Sequence, residues 1–256
     1  MERIKHVFNI PGVVFIIATD TAQLSHSVKA VYGEEFNGEI YLRRFFDQIY
    51  TLPKPDCVSF VEMLFEGHKS NGTYFSYEVN VIGGEVIHGK NEKTLTCEKS
   101  ENAEKILIFS LLSIFFDFDL RTIKQCFERF TAIEVSSGIQ GEIHFAYLIF
   151  LIMLDAKKRS LFHYFYQSHD KVKILRELSN SKENIRIYRK YYTTHDLVLI
   201  YINLVFSTKE DLRGSLKNLD NANSRSFETS LALSILNNYD KVSSYKDMVE
   251  MAHTLD

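Results

Sequence analysis

The stretch Val13-Val14-Phe15-Ile16-Ile17-Ala18-Thr19-Asp20 decides how the rest of the chain is read. It is a continuous, mainly β-branched apolar run without polar alternation, the pattern of a parallel strand covered on both faces, and it ends in a polar pair. Downstream, Leu24, Val28 and Val31 share one helical face, with Thr21 placed to cap that helix and Gly33 to stop it. Upstream, Ile4, Val7 and Phe8 stand at i, i+3 and i+4, so residues 2–9 read as the last turns of an amphipathic helix closed by Asn9 and Pro11-Gly12. Helix, strand, helix is the repeat of an α/β fold. A doubly covered strand needs strand neighbours, because its unpaired amides and carbonyls cost more than its apolar burial returns. Only Ile49 to Leu52, in "QIYTLPKP", offers a second strand, and two strands do not make a free-standing parallel sheet. The rest of the sheet is therefore expected outside these 256 residues, upstream or on a separate chain.

From Asp56 onward the periodicity turns helical. Residues 56–69, 101–117, 119–133, 142–158, 195–206 and 226–239 are the clearest helices, and "GEIYLRRFFDQ" (residues 38–48) is a short one before them. The exception is residues 74–96, where Gly83-Gly84 sits between β-type residues as in an exposed hairpin. All three prolines lie at or before Pro55, which leaves the remainder free for long helices. The expected fold is mainly α with an incomplete α/β portion. Residues 1–55 form the end of an α/β core, 56–135 a helical region with the hairpin at 74–96, and 136–256 a helical extension.

Composition narrows the function classes. With 45% hydrophobic and 25% charged residues the chain is globular, and a net charge of -3 with pI near 6.3 supplies no basic field for duplex nucleic acid. Cys57, Cys97 and Cys126 are an odd set at wide spacing, which fits small buried hydrophobes in a reducing, cytoplasmic setting better than a disulfide or zinc framework. The most apolar runs, Ile106 to Phe116 and Phe145 to Leu154, fall short of the ~18 to 20 residues of a spanning helix, so no direct membrane insertion is expected.

Gly84 to Lys90 matches G-x-x-x-x-G-K, but Asn91 stands where a phosphate loop needs Ser or Thr, and no apolar helix follows. An apolar run ending in Asp20 suits a Walker B strand only in part, since Thr21 replaces the second acidic residue. His163 and His169 lack a partner at i+4 for a metal. The basic and aromatic run "NIRIYRKYY" (residues 184–192) reads first as a helix surface, and second as a grip on single-stranded nucleic acid. Nothing assembles a Ser-His-Asp, Cys-His or paired-carboxylate centre.

The segments "ERIKHVFNIPGVVFIIATD" and "YLRRFFDQIYTLP" resemble the KAP family of P-loop NTPases, in which patterns of the kind "LERIKHLF", "VVFVLAxD" and "YLxKFFQxxxxLP" follow the Walker B strand. The resemblance is dense over Glu2 to Pro53, with an echo in "DLRTIKQCFERF" (residues 119–130). It implies the C-terminal portion of an NTPase, an ATP-driven conformational switch whose Walker A and Walker B elements lie upstream. ATP and Mg2+ are then the cofactors of the complete protein, with neither expected on this chain alone. In that family many members insert membrane helices between the Walker elements, so the whole protein is expected to be cytoplasmic or membrane-associated through that region. The resemblance makes Thr19 and Asp20 the sensor candidates, Arg43 and Arg44 the arginine-finger candidates, and Arg121 the arginine of a helical lid. Expected partners are the absent NTPase half, another protein or a second copy of the chain. The alternative is a non-catalytic helical module that binds a protein partner.

Overall fold

The computed structural model describes residues 14–43, 48–50, 56–70, 72–79, 94–136, 142–178, 182–188, 190–219 and 226–253. The chain divides into two compact units, Met1–Lys54 and Pro55–Asp256.

In the first unit, residues 14–20 carry no regular secondary structure, and Val14 and Ile16 are 87% and 93% exposed. The buried strand expected here is not formed. A strand is stabilised only through its neighbours, and residues 14–20 do not take up strand structure. Ile49 and Tyr50, the described part of the expected second strand, are likewise irregular and exposed, while Thr51 and Leu52 lie outside the described residues, as does the helix expected at 2–9. Helix α1 (Thr21–Tyr32) is capped one residue earlier than the sequence suggested, by Asp20, and Gly33 ends it at φ 103° with its amide donating to the Lys29 carbonyl. Its apolar face is only partly covered, because Val28 is buried but Val31 is 76% exposed. Helix α2 (Gly38–Leu42) packs so closely on α1 that a Cβ at Gly38 would stand 2.5 Å from Ser25 Oγ and 2.7 Å from its carbonyl oxygen. The rings of Tyr32, Phe36 and Tyr41 close the end of this pair, with Phe36 stacked on Tyr32 at 4.9 Å.

The second unit is helical around one continuous core. Asp56 caps α3 (Cys57–Phe65) by accepting from the Val58 and Ser59 amides. Strand β1 (Thr73–Tyr74) follows, and then α4 (Ala103–Phe115). The amphipathic α5 (Leu120–Ser136) turns Ile123, Cys126, Phe130 and Ile133 inward. Strand β2 (Glu142–Ile143) pairs with β1 in parallel, Thr73 opposite Glu142. Helix α6 (Phe145–Lys157), like α4, is apolar on nearly every side, and both are buried accordingly at the centre.

Helices α7 (Arg159–Gln167) and α8 (Lys171–Leu178) lead to the antiparallel strands β3 (Asn184–Ile187) and β4 (Lys190–Thr193). The run "NIRIYRKYY" is thus a hairpin and not a helix surface: Ile185 and Ile187 point into the core at period two, and Tyr188 takes the positive φ of the turn. Val79 and Thr94, at the two sides of the hairpin expected at 74–96, both bridge to β3, and residues 80–93 between them lie outside the described set. A Thr193/Asp196 capping box starts α9 (Thr194–Val205). The chain then runs through α10 (Lys209–Leu219), α11 (Phe227–Asn237), α12 (Tyr239–Ser243) and α13 (Tyr245–His253). Helix α13 packs on both α5 and α6, so the core spans residues on either side of position 136. The thiols of Cys57 and Cys97 are free, and burial pushes each up to about 11. No helix among the described residues is long and apolar enough to cross a membrane.

Candidate functional site

The sensor candidates sit where the exposed apolar segment meets α1. Thr19 is exposed in an irregular backbone. Asp20 already has a structural duty: its Oδ1 accepts from the amides of Ala22 at 2.9 Å and Gln23 at 3.1 Å, satisfying donors that the first turn would otherwise leave open. Arg43 follows the last residue of α2 and is exposed, while Arg44 lies outside the described residues. Gly84 to Lys90 also lies outside them.

Arg121 belongs to the second unit, exposed in the first turn of α5. Asp119 starts that helix by accepting from the Thr122 amide at 2.7 Å. The Thr122 hydrogen bonds hold the Asp119 carboxyl below its ordinary value, and the charge of Arg121 adds to this. The positions assigned by resemblance are therefore split, with Thr19, Asp20 and Arg43 in one unit and Arg121 in the other.

Beside the start of α4, the second unit gathers polar groups that no sequence pattern announced. Glu134, on α5, has a buried side chain and accepts from Ser70 Oγ at 3.2 Å and from the Tyr74 hydroxyl. His68 Nε2 stands 3.1 Å from its other oxygen. Lys105 of α4 donates to Ser70 Oγ and lies 3.7 Å above the Tyr74 ring. Burial lowers the affinity of the Lys105 ammonium for its proton, and Glu134, Glu101 and Glu104 oppose that shift. The set is a brace that fastens the loop after α3 to α4 and α5.

A cleft of about 590 Å³ opens next to the brace, lined by Glu62, Met63, Glu66, His68, Glu98 and Glu101 among others. Its four carboxylates outnumber the one lysine of the lining, Lys69, so its field disfavours a triphosphate. Among the described residues no group of three or more His, Cys, Asp or Glu is placed to hold a metal ion. Glu134, Ser70, Tyr74 and Lys105 escaped sequence reading because their contacts span 31 to 64 positions of chain, with no shared period or spacing.

The KAP family P-loop domain is matched over residues 1–136, a little over half of the 256. No curated protein and no solved structure matches the chain. The matched span closes on Ser136, the last residue of α5.

Proposed function

The chain belongs to the KAP family of P-loop domains, and from that membership we propose that it is the nucleotide-responding part of an NTPase whose nucleotide-cradling part is a different stretch of polypeptide. The match over residues 1–136 carries the proposal. The one G-x-x-x-x-G-K run in the sequence is followed by Asn91, so the phosphate loop and the magnesium carboxylates are assigned to that other stretch, with ATP and Mg2+ as its ligands. The exposed apolar residues 14–17 support this assignment, because they are what an uncompleted sheet leaves uncovered.

In the completed site Thr19 and Asp20 would face the γ-phosphate or the attacking water from a strand end, where open α/β sheets place ligands. The capping duty of Asp20 leaves Thr19 as the freer of the two. Arg43 or Arg44 would stabilise transition-state charge, a role worth ~10³ to 10⁵ in rate. Arg121 would couple nucleotide state to a helical lid that includes α5.

The test compares ATP turnover by the chain alone with turnover by the chain joined to the polypeptide encoded immediately upstream. The expected result is none for the first, activity for the second, and a loss of ~10³ or more on Arg43→Ala or Arg44→Ala. Turnover by the chain alone that disappears with Lys90→Ala would defeat the proposal. A joined protein that binds a protein partner but never hydrolyses ATP would point instead to a non-catalytic helical interaction module.

A further inference from the structure

His144 is wholly buried, in the position just before α6, and its ring turns into the core without capping the helix. The open amides there are satisfied from distant parts of the chain. The Tyr245 hydroxyl accepts from His144 N at 2.9 Å, and the Tyr77 hydroxyl accepts from Ala146 N at 3.0 Å. Among the described residues the ring nitrogens meet hydroxyls, Nδ1 at 3.4 Å from Tyr201 Oη and Nε2 at 3.2 Å from Ser234 Oγ, with the Phe75 ring stacked on the imidazole at 5.4 Å. Tyr77 and Tyr201 bond to each other, and Ser234 donates to Glu142.

A neutral imidazole, one donor and one acceptor, fits this setting. An imidazolium would place a charge at the positive end of α6 with no anion in contact among the described residues. The groups that surround it are Glu142 from β2, Tyr77 from the segment after β1 with Glu104 bonded to its amide, Tyr147 from α6, Tyr201 from α9, Ser234 from α11 and Tyr245 from α13. Glu142 is separated from the ring by the Ser234 hydroxyl, and Glu104 by Tyr77. Burial lowers His144 from 6.5 to about 4, so between these values an open site takes up the proton more readily than the closed one.

We propose that His144 is an acid-sensitive latch: uptake of a proton by its ring is linked to loss of the Tyr201 and Ser234 contacts and to release of residues 73–77, α11 and α13 from the start of α6. The opening exposes apolar core surface around Phe75, Phe227 and Tyr245, a surface the closed form hides.

The chain has no tryptophan, so near-ultraviolet circular dichroism reports its immobilised tyrosines, 77, 147, 201 and 245 among them. On acidification of the intact chain, that signal is expected to collapse between pH 6.5 and about 4 while the far-ultraviolet helix signal persists and a hydrophobic dye begins to bind. In His144→Gln, neutral at every pH, the collapse should move down by one pH unit or more. Histidine-selective NMR of the unmodified chain decides the matter even if that variant does not fold, because the His144 ring should stay neutral until the tyrosine signal is lost. A His144 resonance titrating near pH 6.5 in a native spectrum, or the same midpoint with and without the histidine, would overturn the latch.

Discussion

Cutting the chain after Ser136, where the family match ends, should abolish the fold of what remains of the second unit. Helix α4 holds Ile106, Leu107, Ile108, Phe109, Leu111, Leu112 and Phe115, all at 3% exposure or less. They are covered in large part by α6, α9 and β3, which the cut removes, and in part by α3, which stays. Full burial of a large apolar side chain is worth about 1.5 to 3 kcal/mol, so the set represents roughly 10 to 20 kcal/mol. Losing half of it costs about 5 to 10 kcal/mol, comparable with the whole stability of an ordinary domain. Helix α5 also loses α6 and α13, and β1 loses β2. Urea unfolding followed by far-ultraviolet circular dichroism should show a single cooperative transition for residues 55–256 and none for residues 1–136. A cooperative transition for 1–136 with a midpoint near that of the intact chain would refute the reasoning.

Two substitution pairs test narrower points. Asp20→Ala removes both capping bonds and should cost α1 about 1 kcal/mol, whereas Asp20→Asn caps equally well and should leave α1 unchanged. Amide exchange in residues 21–32 reads the difference, and equal protection in both variants would show that the cap contributes nothing. Arg129→Met removes the cation 3.2 Å from Asp155, whose side chain is 3% exposed, and should cost about 3 kcal/mol in a urea titration. Burial already raises the Asp155 carboxyl above its ordinary value, and losing the cation raises it further. The folded variant then binds more protons than its unfolded chain, so its deficit should shrink as the pH falls. Adding Asp155→Asn should recover most of the loss, and a deficit that grows in acid would contradict the burial argument.

The helices that sequence reading found with least effort are the ones whose environment leaves no choice. "ILIFSLLSIFF" and "FAYLIFLIML" are apolar on every side, so they must be buried on every side, and α4 and α6 are. Helices α7 and α8 pass less noticed because Tyr164, Lys171 and their polar neighbours dilute the stripe. The hairpin at 184–193 was hidden by its basic residues: Ile185 and Ile187 alternate as in a strand, but Arg186, Arg189 and Lys190 gave the run the look of a solvated helix face. The polar centres were not legible at all. Glu134 joins Ser70, Tyr74 and Lys105, and His144 joins Tyr201 and Ser234, only because the core folds back on itself, and no local period encodes that.

Residues 14–20 pose the opposite problem, since their local pattern is clear and the chain does not fulfil it. A β-branched run encodes what its faces and its amides require, which is a covering layer and two neighbouring strands, but it does not encode where those come from. Within the described residues they are not supplied, and Val14 and Ile16 stand in solvent. The next residues do not share the difficulty. Helix α1 is held by the Asp20 cap, the close approach of Gly38 to Ser25 and the rings of Tyr32, Phe36 and Tyr41. Asp20, at the joint between residues 14–20 and α1, is fixed by the helix. A strand delivered to a sheet from this joint would place Thr19 at the strand end, next to the Asp20 cap that fixes the start of α1.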